Sequence, residues 1–407
     1  MAIHMKTINI YLILLSLTIA FYSCEGENKF DPDKNYLLFT GTDVNPVVGF
    51  QLDDTPSIQY ITTSSTRKLD RDVVITYEID NDALVEFNEE NKTNYFPVPG
   101  ASLKLLATSD TINAGKAASN GIGVQIISTE DWVDGRIYVV PVSIKSVAGG
   151  DVEIINSSKT VFLRISRKLV FSSLDVSNPN LYSEYLFGKS KEGFTAIDLP
   201  QYTCEIKVFL TEDAPNRIRR LCNWGGQGQN MLRFGEEGMH RNQLQWVSPA
   251  GSVPSTTLFA PNRWYTVSLT FDGSKYTMYV DGVKDNEMIG SSSFKFEKFE
   301  IGMSWAGYTN SQRVNGRIAE VKLWDRALVA SEIQLGMCGL DPSTEGLIAY
   351  WKMDETEGHI FHDATGNGYD IDWSDTWREP REDGVAVQYD KSMYVNWIKD
   401  EKNECYQ

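Results

Sequence analysis

The sequence predicts an all-β protein built as two sandwiches in series, and three observations carry that expectation. Apolar and polar residues alternate over short runs, as in Val73-Val74-Ile75-Thr76-Tyr77-Glu78-Ile79, whose odd positions are all apolar. Turn-forming pairs such as Asp272-Gly273 and Asp281-Gly282 punctuate those runs. A length of 407 residues with 42% hydrophobic and 23% charged side chains suits a globular chain of two or three domains, neither disordered nor multi-spanning. The formal charge of −17, from 55 acidic against 38 basic residues, repels phosphate backbones and excludes nucleic acid as an expected partner. With 10 Trp, 19 Tyr and 18 Phe but four His, the chain is rich in stacking surfaces and poor in metal ligands and general bases. Binding is therefore favoured over catalysis.

The elements are taken in chain order. Lys6 is the only charge before an apolar run, Ile8 to Tyr22, too short to span a bilayer comfortably and closed by Ser23-Cys24. Residues 1–23 read as a secretory signal peptide and residues 24–35, beginning Cys24-Glu25-Gly26-Glu27, as a flexible tether. The arrangement resembles a bacterial lipoprotein signal, in which the cysteine becomes the acylated N-terminus; Phe21-Tyr22 depart from the usual Leu and small residue. That resemblance implies a lipid anchor on Cys24 and a position at the outer-membrane surface of a Bacteroidota cell. Cys204, Cys222, Cys338 and Cys405 remain, without a CxxC pair, so disulfides and buried thiols both stay open.

Residues 36–168 form the first predicted sandwich, with Val161-Phe162-Leu163-Arg164-Ile165 again apolar at its odd positions. One short helix interrupts it within Asp80 to Asn88, with Asp82 as its expected N-cap. The blocks Tyr36-Leu37-Leu38-Phe39-Thr40-Gly41, Thr76-Tyr77-Glu78-Ile79-Asp80-Asn81, Thr111-Ile112-Asn113-Ala114-Gly115-Lys116 and Tyr138-Val139-Val140-Pro141-Val142 together resemble the DUF1735 domain. That resemblance implies an immunoglobulin-like spacer module and assigns no chemistry to any residue.

Residues 169–407 repeat the grammar. Tyr265, Val267, Leu269 and Phe271 fall on one face, Asp272-Gly273 turns the chain, Tyr276 to Val280 returns, and Asp281-Gly282 turns it again. The text Asn262-Arg263-Trp264-Tyr265 through Asp281-Gly282, with Phe299-Glu300-Ile301-Gly302 and Asn315-Gly316-Arg317-Ile318-Ala319-Glu320-Val321-Lys322-Leu323-Trp324, resembles LamG-like jelly rolls of the concanavalin A-like lectin and glucanase superfamily. From about residue 346, Gly346-Leu347-Ile348-Ala349-Tyr350-Trp351 reads like opening strands of such a domain. Too few residues follow for a second sandwich, so these strands either close the preceding one in permuted order or form a truncated repeat. The first is favoured because a lone apolar strand would be an aggregation-prone edge.

The superfamily includes glycosidases, but the jelly-roll segment lacks their Glu-x-Asp-x-x-Glu strand. Asp354, Glu355 and Glu357 read as a solvated acidic loop, and His359, His362 and Asp363 as polar turn residues. No catalytic residue, metal ligand or cofactor is assigned; calcium is left open by the resemblance, though no loop shows its ligand spacing. Sugars stack on aromatics and pair with amides and Arg. Trp224, Asn223, Gln229, Asn230, Arg233 and Gln245, with Trp305 and Tyr308 of a second Gly- and Asn-containing loop, are the candidate carbohydrate-binding residues. Trp224 is expected to be an exposed stacking platform in a Gly-rich loop, and Arg233, Gln243 and Gln245 to face away from the core. The predicted activity is capture of an oligo- or polysaccharide beside outer-membrane uptake proteins. A glycosidase with an unrecognised site and a protein-binding adhesin are the alternatives.

Overall fold

The computed structural model describes residues 31, 33–214, 217–225, 230–302, 312–378 and 385–406; the signal, Cys24, Gln229, Trp305 and Tyr308 lie outside these. The chain is mostly β, an N-terminal β domain followed by a concanavalin A-like jelly roll. In the first domain Val73, Ile75 and Tyr77 point inward with Val161, Leu163 and Ile165, as their alternation requires. The interrupting helix is Asn81–Asn91, one turn longer than read, and its N-cap is Asp80, whose Oδ1 accepts from the Ala83 amide at 3.1 Å. Asp82 is thereby corrected to a first-turn acid, where it still suits the helix dipole. The helix buries Leu84 beside Val139 and Phe162, and Phe87 lies 4.5 Å from Phe162 between ring centroids.

A single strand, Thr160–Asp175, runs through the boundary expected at residue 169. Its first half pairs with Tyr138–Ala148 and Val47–Leu52 in the first domain, and Leu174 and Asp175 pair with Ile318 and Arg317 in the second. Two large sheets enclose the core of the jelly roll. One runs Val283–Ile289, Lys275–Val280, Trp264–Phe271, Tyr202–Leu210, Gly316–Trp324 and so into the shared strand. The other runs Gly251–Leu258, Gln243–Ser248, Met231–Phe234, Arg219–Trp224, Lys298–Ile301, Ser183–Leu186, Thr376–Arg378 and Val387–Tyr389. The late strands close this sandwich: Leu347–Trp351 pairs with Gly316–Trp324, and Thr376–Arg378 with Ser183–Leu186. Tyr265, Val267, Leu269 and Phe271 all enter the core.

The two domains meet over charged side chains. Asp134 takes Arg167 at 2.8 Å and Lys352 at 3.2 Å, and Arg136 reaches Asp341 at 2.6 Å. Gly135 has φ of +87°, and a Cβ there would stand 2.1 Å from the Leu340 carbonyl carbon, so only glycine permits this approach. Cys338 and Cys405 form a disulfide, which ties the C-terminal strand Trp397–Tyr406 to the segment after helix Ala330–Leu335. Cys204 and Cys222 are buried thiols in the core. Among the described residues no helix is long and apolar enough to cross a membrane.

Candidate functional site

The site is the outer face of the sheet that carries Arg219–Trp224. Alternation sends Leu232, Phe234, Leu244, Trp246, Phe299 and Ile301 into the core and turns Arg233, Gln245, Lys298 and Glu300 the other way. The expected outward placement of Arg233 and Gln245 holds, and they touch: Arg233 Nε donates to Gln245 Oε1 at 2.5 Å. Arg233 also pairs with Glu236 across the following turn, and Gln245 Nε2 lies 3.6 Å from Met239 Sδ. Burial pulls the Arg233 guanidinium below its ordinary pKa, against the opposing charge of Glu236.

Trp224 is corrected. It ends the strand Arg219–Trp224 with no exposed surface, packed edge-on to Phe299 at 5.9 Å. The glycines that suggested an exposed loop begin one residue later: Gly225 has φ of +102°, and a Cβ there would stand 2.8 Å from the Phe294 ring. Gly225 thus gives Phe294 room rather than exposing Trp224. Asn230 is corrected likewise, being fully buried with Oδ1 accepting from Tyr202 Oη at 2.7 Å and Trp246 Nε1 at 3.0 Å. Tyr202 and Trp246 stand on opposite sheets, so Asn230 fastens the two layers across the core. Asn223 does face outward but is closed off, donating to Glu300 Oε2 at 3.1 Å.

That last bond leads to residues that sequence reasoning missed. Glu184 and Glu300 are directly opposed on neighbouring strands, and Lys298 Nζ lies 2.7 Å from Glu184 Oε2 and 2.9 Å from Glu300 Oε1. The jelly roll still lacks a Glu-x-Asp-x-x-Glu strand, but it holds a carboxyl pair whose members come from distant segments, so no single strand displays them. Burial pushes the Glu300 carboxyl up to about 8, the Lys298 ammonium opposing and Glu184 adding to the shift. Burial would lower Lys298, but the two glutamates outweigh it and raise it. Burial therefore favours the protonated form of Glu300. The same row continues to Trp377, which pairs in register with Glu184; its Nε1 donates to Ser190 Oγ at 3.1 Å. The signal was present in Lys298-Phe299-Glu300-Ile301, whose apolar positions were read and whose polar ones were not.

The centre of the face is shut, with Glu184 and Glu300 only 2% and 0% exposed. Space opens at its rim. A cavity of about 650 Å³ is lined by Arg217, Glu236, Met239 and Gln312, beside Arg233 and Gln245. Gln312 Oε1 is buried there without a hydrogen-bond partner. An unsatisfied buried acceptor beside an open cavity is a group that a ligand hydroxyl can pair. The acidic loop is corrected in part: Asp354 and Glu355 are half-buried, and burial raises both carboxyls. Asp363 is fully used by the amides of Tyr350, Thr365 and Tyr369. Among the described residues no three His, Cys, Asp or Glu side chains are placed to hold a metal.

This architecture is that of the concanavalin A-like class. Residues 201–334 match the family model of the concanavalin A-like lectin/glucanases superfamily. A second model, of an N-terminal domain, matches residues 28–151. The fold is similar to the crystal structure of a "putative carbohydrate binding protein" from Bacteroides ovatus ATCC 8483, at 20% identity and TM-score 0.65 over 90% of this chain and 98% of that one. Identity at that level shows a shared fold. A heptameric SAP-like pentraxin from Limulus polyphemus matches at 12% identity and TM-score 0.34, over 57% of this chain and 97% of its own. EndoBT-3987 from Bacteroides thetaiotamicron, solved with a Man5GlcNAc product, matches at 17% identity and TM-score 0.27, over 32% of this chain and 31% of its own. These two likenesses are too loose to carry an argument. No curated protein matches the chain.

Proposed function

We propose that the protein is a non-catalytic glycan-binding lipoprotein, anchored at the outer-membrane surface through Cys24, with a DUF1735-type spacer and a jelly roll that captures carbohydrate for an uptake system. The observation that carries the binding role is the rim cavity, where Gln312 Oε1 lacks a partner and Arg217 and Glu236 bring further planar donor and acceptor groups to the lining. The family match over residues 201–334 and the fold shared with a Bacteroides ovatus protein described in terms of carbohydrate binding support it. Anchoring rests on the apolar run ending at Ser23-Cys24. A glycan-array screen of the purified protein tests the reading: selective binding of one glycan class supports it, and an array with no binding rejects it.

A glycosidase is the second reading, favoured by the Glu300 carboxyl near 8 beside Glu184. Against it, both carboxylates are buried and bound to Lys298, which leaves no room for a glycosidic oxygen between them. A bound glycan should keep its chain length on incubation. Steady release of reducing ends, abolished by Glu184→Gln, would establish hydrolysis instead.

A further inference from the structure

A second cavity, of about 360 Å³, opens at the other end of the same sheet. Along Arg219–Trp224 the rim cavity lies past the Arg219 end, at Arg217, and this one lies at the Trp224 end, where the Gly225 amide donates to the Lys298 carbonyl at 3.1 Å. The length of that strand sets the two about 17 Å apart. Leu186 ends the strand Ser183–Leu186 opposite Lys298, and the Phe187 amide then donates to the Glu297 carbonyl at 3.1 Å. The chain makes one turn of helix, Phe187–Ser190, and comes back with Phe194 stacked on the buried Phe187 at 5.4 Å between ring centroids. The cavity lies between this turn and Glu297-Lys298. Leu186, Phe194 and Ala196 give it an apolar wall, Lys189 and Glu297 are exposed in its lining, and Lys298 is buried in it.

Lys298 makes the cavity a place for a hydrogen-bond acceptor. A lysine ammonium carries three N–H donors, and Glu184 at 2.7 Å and Glu300 at 2.9 Å take one each. Because the residue is only 6% exposed, the third is a buried donor, which an oxygen placed in the cavity satisfies. The surrounding charges select the kind of oxygen. Glu184 and Glu300 already hold the ammonium and Glu297 adds another carboxyl to the lining, so a uronate or a sulfate ester would meet repulsion where a neutral group would not. The wall selects further. A bare hydroxyl brings nothing apolar to Leu186, Phe194 and Ala196, whereas an acetamido group brings a methyl for them, a carbonyl oxygen for Lys298 and an N–H for the Glu297 carboxylate.

We propose that this cavity binds the acetamido group that an N-acetylated hexosamine carries beside its anomeric carbon. The proposal rests on the glycan-binding reading and names a sugar class for it, at a second place on the same sheet.

The test is calorimetric titration of the purified full chain with two matched pairs of neutral sugars: chitotetraose against cellotetraose, which share length and linkage, and N-acetylgalactosamine against galactose. In at least one pair the acetamido member should bind about tenfold tighter than its partner. Phe194→Ala and Glu297→Ala should each remove that preference. Glu297 is exposed, so its substitution should leave the melting temperature unchanged and decides the matter if Phe194→Ala melts early. A preference that survives either substitution overturns the site. Equal binding within both pairs overturns it too, while leaving glycan binding intact, as does failure of all four sugars when an array finds some other glycan. Failure of every glycan on the array rejects the broader reading as well.

Discussion

Glu300 is the residue whose environment departs most from its ordinary chemistry, and its titration gives a prediction with a definite sign. Its carboxyl titrates near 8 in the folded protein against an ordinary value of 4.5. The folded state therefore binds the proton more tightly, and the stability this contributes is present below 4.5 and lost as pH rises through 8. Glu300→Gln mimics the protonated form, so the variant should match the parent below pH 4.5, gain on it progressively in melting temperature as pH rises from 4.5 to 8, and keep a constant advantage above 8. Parallel melting curves across that range would show that Glu300 is ionised throughout. Trp224 gives a second prediction at this scale. Trp224→Ala should cost about 3–5 kcal/mol of stability, measured by denaturant unfolding, because it empties a fully buried site. A loss of under about 1 kcal/mol would restore the exposed-loop reading. Trp224 was misread because strand end and loop are indistinguishable where Asn-Trp meets Gly-Gly; only the Phe294 ring against Gly225 decides which side of the turn is buried. Arg233 and Gln245 were legible because strict alternation in Met231–Phe234 and Gln243–Ser248 fixes their face.

Among the elements, the strands with two-residue periodicity were readable and those whose partners are remote were not. Trp264–Phe271 and Lys275–Val280 follow from their own apolar positions and the Asp-Gly turns between them. The pairing of Ser183–Leu186 with Lys298–Ile301, which opposes Glu184 to Glu300, joins residues more than a hundred positions apart, and nothing local announces it. The same limit applied to the cysteines: four thiols gave three connectivities, and the fold selects Cys338 with Cys405 because Trp397–Tyr406 returns alongside the connecting strand. That disulfide closes a loop of 67 residues. By loop-closure entropy it is worth about 4 kcal/mol. Cys405→Ser should lower unfolding free energy by about that amount and leave the Trp397–Tyr406 amides open to hydrogen exchange, while amides of Tyr202–Leu210 stay protected. Exchange spread evenly over the molecule would contradict this local role.

At the scale of the whole molecule, the connecting strand and the charged contacts around Asp134 make the N-terminal domain and the jelly roll one unit rather than two modules on a hinge. Gly135→Val places a side chain where Leu340 stands and should loosen that contact. Small-angle scattering should then report a larger radius of gyration, with the jelly-roll melting temperature little changed; an unaltered radius would show that the shared strand alone sets the arrangement. The two-domain plan was legible from composition, alternation and turn pairs, yet the boundary at residue 169 falls inside a strand, since a strand that serves two sheets carries one uninterrupted pattern. The account's central claim is that the rim of the outward sheet face binds glycan. Calorimetric titration of an array-selected glycan into the parent and Gln312→Ala measures it most directly, because Gln312 Oε1 has no partner to lose in the free protein. The account predicts saturable binding to the parent, weakened about tenfold by Gln312→Ala at unchanged melting temperature. Full affinity in that variant, or no saturable binding to the parent, would contradict it.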